Sequence, residues 1–197
     1  MKTSIKTIFA AGLMALALSS STVYANGPEA PQTSSASTIS IASIKKLVIT
    51  GNVEVTISQQ PKSKRICTNE GNTDVLVKKV GNALYISSKN DTQGAKVTVY
   101  VDDIYRIEAS ENAVVQTAGI LNLKYLQVFL KDNASLDLNA KTESLYTVMK
   151  NTSALNLKGA TDFHIITMEK LSRITLDKFA AKKTDMSASD VYVAARR

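Results

Sequence analysis

The chain has 197 residues, with 24 Lys or Arg against 17 Asp or Glu and a net charge of +7. The basic residues are spread along the chain without interleaved aromatic residues, which argues against a nucleic-acid-binding surface. With one Cys and one His, the chain has no internal disulfide and no His/Cys metal site. No Gly-rich phosphate loop occurs either, so no cofactor is expected.

The N-terminal residues predict export. Lys2 and Lys6 precede an apolar run over residues 8–18, and a stretch of small residues then ends in Val23-Tyr24-Ala25. These are the three parts of a secretory signal peptide. The apolar run has about half of the roughly 20 residues that a membrane span needs. We therefore expect cleavage after Ala25, with the mature chain in the periplasm, at the outer surface or secreted.

The chain after the predicted signal peptide divides into a linker and a β domain. Residues 26–38 hold two of the three prolines together with Ser and Thr, a composition typical of flexible linkers. Residues 39–197 show short segments rich in β-branched residues and no helical periodicity, which predicts one all-β domain. Cys67 falls in one of these segments, and we interpret it as a buried, inert thiol.

Two turn signals occur in the first part of this domain. Gly51-Asn52 and Gly81-Asn82 each separate two segments of alternating apolar and polar residues. A Gly-Asn pair between such segments is typical of a two-residue β-hairpin. The sequence therefore predicts an antiparallel hairpin at each pair.

The second half of the domain repeats at intervals of 21, 19 and 19 residues. The four repeats are YRIEASENAVVQTAG from Tyr105, LQVFLKDNASLDLNA from Leu126, LYTVMKNTSALNLKG from Leu145 and HIITMEKLSRITLDK from His164. Aligned, they form five apolar columns: Tyr105/Leu126/Leu145/His164, Ile107/Val128/Thr147/Ile166, Ala109/Leu130/Met149/Met168, Val115/Leu136/Leu155/Ile174 and Thr117/Leu138/Leu157/Leu176. These columns predict the inward face of each strand.

Such a period, with strands and corners but no helix, is typical of a β-solenoid. The corner segments are rich in Asn, Asp and Ser, which tolerate the left-handed conformation of a sharp turn. We predict a short right-handed parallel β-helix with coils of about 19 residues. Antiparallel hairpins are possible in its N-terminal part, and a β-sandwich is the alternative fold.

The order of these features resembles the putative auto-transporter adhesin, head GIN domain family. The likeness covers roughly residues 39–195, and its clearest parts are the opening IKKLVITGNVEVTISQ over residues 44–59 and VGNALYI over residues 80–86. The family favours Gly at the corners, where this chain has Asn, Asp or Glu. The resemblance implies an exported bacterial β-helix of adhesin type whose ligand is unassigned.

The sequence shows no catalytic centre. Hydrolases and lyases that act on polysaccharides need clustered carboxylates. No outward column places two carboxylates on adjacent repeats, since Asp137 is followed by Asn156 and then Thr175. The pair Asp102-Asp103 reads as a loop. His164 falls in an inward column without a nucleophile partner.

The candidate binding residues are aromatic. Tyr146 and Tyr192 fall at outward positions, where an aromatic ring stacks on a sugar or contacts a partner protein. Of the twelve outward positions between the columns within each strand, only those of Phe129, Tyr146, Val148 and Ile165 are apolar. We interpret the chain as a non-enzymatic, adhesion-like binding module, either of the cell envelope or secreted. Its ligand is unassigned, and a polysaccharide or an envelope protein is a candidate partner. A carbohydrate-active enzyme and a structural spacer are the alternatives.

Overall fold

The computed structural model describes residues 38–40, 43–60, 66–70, 75–88 and 95–189, which form strands and turns but no helix. The strands are β1 (Thr38–Ser40), β2 (Lys46–Thr50), β3 (Val53–Gln59), β4 (Ile66–Glu70), β5 (Val75–Val80), β6 (Ala83–Ser88), β7 (Ala95–Val101), β8 (Arg106–Ala109), β9 (Val114–Thr117), β10 (Leu121–Leu130), β11 (Ser135–Met149), β12 (Ala154–Met168) and β13 (Arg173–Ala188). The prediction of an all-β chain is confirmed. The predicted signal peptide, the linker up to residue 37 and Tyr192 lie outside the described residues.

These thirteen strands belong to one mixed sheet. The order is β1-β4-β7-β3-β9-β11-β10-β8-β2-β6-β5, and β12 and then β13 add to β11. The pairs β1–β4, β4–β7 and β5–β6 are antiparallel, and the other pairs are parallel. The sheet is therefore not purely parallel, and its antiparallel pairs lie in the N-terminal part. The repeats themselves pair in parallel, which does not fit an antiparallel sandwich.

The predicted alignment of the repeats is the observed register of the sheet. Leu126 is the Cα partner of Leu145, and Leu145 is the partner of His164. Likewise Leu136 pairs with Leu155, so the repeats that begin at Leu126, Leu145 and His164 are offset by 19 residues. Between β12 and β13 the register shifts by one residue between Asn156 and Lys158. Equivalent residues of these repeats therefore lie beside one another on adjacent strands.

The inward columns form one hydrophobic core around which the sheet wraps. Leu136, Leu138, Leu155 and Leu157 are at most 2% exposed, as predicted. Within β11 the buried positions change from even to odd numbers after Thr142, because the strand bends where its pairing with β10 and β12 skips Glu143. The bend lets one 15-residue strand contribute to two sides of the core.

The corners between the repeats use the left-handed backbone conformation. Glu111, Asp132 and Asn151 have φ of 62°, 59° and 56° and occupy equivalent positions in three successive repeats. The Asp132 carboxylate accepts a hydrogen bond of 2.7 Å from the side-chain amide of Asn151. Asn133 donates one of 3.2 Å to Asn112. The prediction that Asn and Asp take this conformation at the corners is confirmed, and Glu111 does the same.

Two predictions for individual segments are wrong. Gly51-Asn52 does not form a hairpin, since β2 pairs with β6 and β8 while β3 pairs with β7 and β9. Gly51, with φ of 84°, instead makes a corner like those at Glu111 and Asp132. Tyr105 was placed in an inward column but is exposed, because the neighbouring Ile104 fills the core there. The Gly81-Asn82 hairpin is confirmed by the β5–β6 pairing.

Candidate functional site

The four outward apolar side chains of the repeats lie together on one face of the sheet. Phe129 is the Cα partner of Val148, and Tyr146 is the partner of Ile165. The rings of Phe129 and Tyr146 have their centroids 5.9 Å apart at an interplanar angle of 59°. We call this surface, together with Val48, the apolar face.

Val48 extends this face toward the N-terminal part of the sheet. It pairs with Glu108 of β8, and Glu108 pairs with Phe129 of β10. On its other side Val48 pairs with Tyr85 of β6, which is 42% exposed. One outward row thus runs from Tyr85 through Val48, Glu108 and Phe129 to Val148, across β6, β2, β8, β10 and β11. Tyr146 and Ile165 lie in the neighbouring outward row, on β11 and β12.

Charged side chains hold the aromatic part of the face in place. The Glu108 carboxylate lies 3.0 Å from Lys46 Nζ and 2.6 Å from Arg106 Nε. The guanidinium carbon of Arg106 lies 4.1 Å from the centroid of the Phe129 ring, a cation–π distance. Arg106 therefore links the Glu108 carboxylate to the Phe129 ring, which also contacts Tyr146.

A hollow of about 300 Å³ opens at the corner end of the apolar face. Its apolar lining comes from Val48, Phe129 and Val148, all of which are half-buried. Its polar lining includes Glu108, Ser110, Lys131 and Lys150. Sites that bind small molecules commonly combine apolar walls with a few polar groups in this way.

A second, more polar concavity of about 630 Å³ lies on the outward side of β9, β11, β12 and β13. Its one lining carboxylate, Asp137, accepts hydrogen bonds from Asn156 at 3.0 Å and from Lys158 at 2.8 Å. Acid–base hydrolysis of a glycosidic bond uses two carboxyl groups on opposite sides of the bond. The lining of this concavity therefore offers hydrogen bonds but not that pair.

His164 lies in the core, as its inward column predicted, and is 1% exposed. Its Nε2 is 3.1 Å from Thr147 Oγ1, and its Nδ1 is buried without a hydrogen-bond partner. Phe179 meets the ring edge-on at 5.3 Å. Desolvation by burial lowers the pKa of His164 from 6.5 to about 4. The imidazole is therefore neutral near pH 7 and is not accessible to a substrate.

Of the other residues that the sequence analysis singled out, one lies on the apolar face. Tyr146 is half-buried at the centre of the apolar face. Tyr192 lies beyond the described residues, and Cys67 lies in β4, as its strand-like segment predicted. Within the described ranges, no group of three or more His, Cys, Asp or Glu is placed to hold a metal ion. The same part of the chain holds no helix with the length and apolar character of a membrane span.

Several solved structures share this fold at low sequence identity. A putative adhesin from Parabacteroides distasonis is 12% identical, with a TM-score of 0.56, and one from Parabacteroides merdae is 13% identical, with a TM-score of 0.55. A protein from Parabacteroides distasonis described as a putative lipid binding protein is 11% identical, with a TM-score of 0.58. Each comparison covers 78% of this chain and 77% of the other.

Sequence comparison identifies the family. No curated protein is significantly similar to the chain. The pattern of the family described as putative auto-transporter adhesin, head GIN domain, matches residues 43–196. This match covers most of the sequence, including the corners at Glu111, Asp132 and Asn151. The chain therefore belongs to the putative auto-transporter adhesin, head GIN domain family.

Proposed function

We propose that the protein is an exported, non-enzymatic binding module that contacts its ligand through the apolar face. The observation that carries this proposal is the clustering of Phe129, Tyr146, Val148 and Ile165. Outward positions of a half-buried sheet are normally polar. The exceptions in these repeats are not scattered but share one surface, and contiguous apolar surface on a protein commonly marks an interaction site.

The fold that we propose for this module is a short, right-handed parallel β-helix. The parallel pairing of β10, β11 and β12 at a constant offset supports it, since that offset is the length of one coil. Parallel crossover connections are overwhelmingly right-handed, which supports the handedness. In such an arrangement the apolar face is one flat side of the stack.

Export is supported by Lys2, Lys6, the apolar run and Ala25, and by membership of a family described as adhesins. A non-enzymatic role is supported by the buried, neutral His164 and by the lone carboxylate of the polar concavity. The aromatic side chains of a flat face can stack on a polysaccharide or contact an envelope protein, and we propose one of these as the partner. A structurally similar protein is described as lipid binding, so lipid belongs among the ligands tested.

The test compares two tyrosines that differ in position. Tyr146→Ser removes the central ring of the apolar face, whereas Tyr125→Ser removes an exposed ring outside it. The protein, recovered from the envelope of producing cells and expected to begin at Asn26, is titrated with bacterial polysaccharides, envelope fractions and lipid vesicles. We expect Tyr146→Ser to weaken binding about tenfold and Tyr125→Ser to leave it unchanged.

The same samples test the non-enzymatic role. The polysaccharides are expected to keep their chain length after incubation with the unmodified protein. Equal loss of binding in the two tyrosine variants would contradict the assignment of the apolar face. If the unmodified protein shortens the polysaccharide chains and the Asp137→Asn variant does not, the protein is an enzyme instead.

A further inference from the structure

We propose that the hollow at the corner end of the apolar face binds an anionic glycan, with a sugar ring against Phe129 and its acidic group between Lys131 and Lys150. This inference rests on the proposed binding function and names the ligand class for that site. It is carried by the lining of the hollow, by the stacking of two lysines there and by the exposure of the apolar side chains.

The lining of the hollow matches the two kinds of surface on a pyranose ring. The C–H groups of the ring form an apolar face that packs against aromatic and aliphatic side chains, and Phe129, Val48 and Val148 supply such a wall. The hydroxyl groups need hydrogen-bond partners. Ser110 donates and accepts, and the Glu108 carboxylate has more acceptor sites than its contacts with Lys46 and Arg106 use.

Lys131 and Lys150 occupy equivalent positions at the ends of β10 and β11. The Lys131 N–H donates to Ala109 O at 3.0 Å, and the Lys150 N–H donates to Leu130 O at 2.9 Å, so the two residues lie on adjacent strands. Adjacent strands are about 4.8 Å apart. Like charges on facing side chains of adjacent strands repel each other, and both side chains are exposed at the hollow. An anion placed between the two ammonium groups would offset that repulsion.

The carboxylates of Asp132 and Glu169, close to the two lysines in the fold, have other partners as well. Asp132 accepts from the Asn151 side chain at 2.7 Å and stays 3.9 Å from Lys131 Nζ. Glu169 accepts from the Asn151 backbone N–H at 2.6 Å. Neither Asp132 nor Glu169 lines the hollow, and Lys150 forms no ion pair with a carboxylate of the described residues. The hollow therefore presents more positive charge than its own acids neutralise.

The shape of the site favours a glycan over a lipid membrane. Insertion into a bilayer requires apolar side chains that project from the surface. Val48, Phe129 and Val148 are instead only half-exposed, and Arg106 packs against the Phe129 ring. A ligand must enter the hollow to reach them. The volume of about 300 Å³ lies within the range of pockets that hold small organic groups.

The test uses an acidic polysaccharide and a neutral form of the same polymer. The exported protein is titrated with polygalacturonate, with its methyl ester and with phosphatidylglycerol vesicles. We expect it to bind polygalacturonate, to bind the ester at least about tenfold more weakly, and to lose affinity as salt is raised. Lys150→Gln and Lys131→Gln should each weaken polygalacturonate binding about tenfold. Lys150→Arg should retain binding.

Lys124→Gln is the matched control, because Lys124 is exposed but lies away from the hollow. The affinity of the Lys124→Gln variant for polygalacturonate should be unchanged. Binding lost with Tyr146→Ser but unchanged with Lys150→Gln would leave the binding function intact and overturn the anion site. Equal affinity for the acid and the ester would also overturn it, as would binding to the vesicles alone or to none of the three probes.

Discussion

His164 occupies the position that Leu126 and Leu145 fill in the two preceding repeats. The aligned columns placed it inward, and the structure confirms this. The sequence could not show that Nδ1 would have no hydrogen-bond partner, because that depends on which side chains surround the ring. Thr147 reaches one nitrogen only, while Phe179 presents carbon atoms.

The lowered pKa of His164 makes the stability of the protein depend on pH. Its folded-state pKa is about 4, against 6.5 for an imidazole in water. Between these values the unfolded chain binds a proton that the folded protein does not, so the free energy of unfolding falls as pH falls from 6.5 to 4. We expect a loss of about 3 kcal/mol over this window, measured by urea denaturation at several pH values.

His164→Leu is the matched variant, since Leu occupies the same column in the neighbouring repeats. It removes the titrating group and the unpartnered Nδ1 while keeping an apolar side chain beside Phe179. The variant should show a flatter dependence of stability on pH than the unmodified protein between pH 4 and 6.5. Parallel curves for the two proteins would show that His164 does not cause the dependence.

Within a strand, the sequence predicts best which side chains face the core and which face the solvent. A side chain on β12 faces the core or the solvent according to its parity, and Leu155 and Asn156 are neighbours with opposite orientations. Leu155→Ala removes buried methyl groups and should lower the free energy of unfolding by about 2–5 kcal/mol. Asn156→Ala, beside it, should lower that free energy by about 0.5 kcal/mol or less.

Urea denaturation of the two variants measures this difference. Asn156 is only half-buried, and its hydrogen bond to Asp137 is replaced by water when the side chain is removed. Similar losses for the two variants would mean that the assigned register of β12 is wrong.

Pairing between strands was harder to predict than the strands themselves. Gly51-Asn52 and Gly81-Asn82 look alike in sequence, yet the second closes a hairpin and the first turns a corner. Both glycines have positive φ, so local conformation does not separate them. The difference arises from distant partners, since β2 pairs with β8 about 60 residues later in the chain. A local motif does not contain that information.

For the whole molecule, the repeat alignment fixed which residues are neighbours on adjacent strands, and with that a part of the candidate site. Tyr146 and the other three outward apolar residues of the repeats were visible as exceptions in the alignment. The contact of these residues with Val48 and Tyr85 was not visible, because β2 and β6 lie outside the repeats that the sequence aligns. The alignment places Lys131 beside Lys150, but the hollow that they form with Glu108 depends on side-chain packing, which the sequence does not show.

The constant offset between β10, β11 and β12 restricts how this protein can change in length. A duplication of residues 135–153 adds 19 residues, which is one whole repeat. Leu136 and Leu138 of the added segment would each meet an inward leucine on both sides, and its Leu145 would lie between another Leu145 and His164. A duplication one residue shorter would shift the register by one and turn the side chains that follow the missing residue to the opposite face. Evolution within this fold should therefore proceed by whole repeats.

The two duplications are directly comparable in the laboratory. The 19-residue insertion, placed after Ser153, should unfold cooperatively with a Tm within about 5 °C of the unmodified protein. The insertion lacking one residue should lose cooperative unfolding or most of its stability. Equal stability of the two insertion variants would show that the chain can change in length by less than a whole repeat. If the expected result holds, length variants found among relatives should differ by multiples of one repeat, and each added repeat would lengthen the flat side that carries Tyr146.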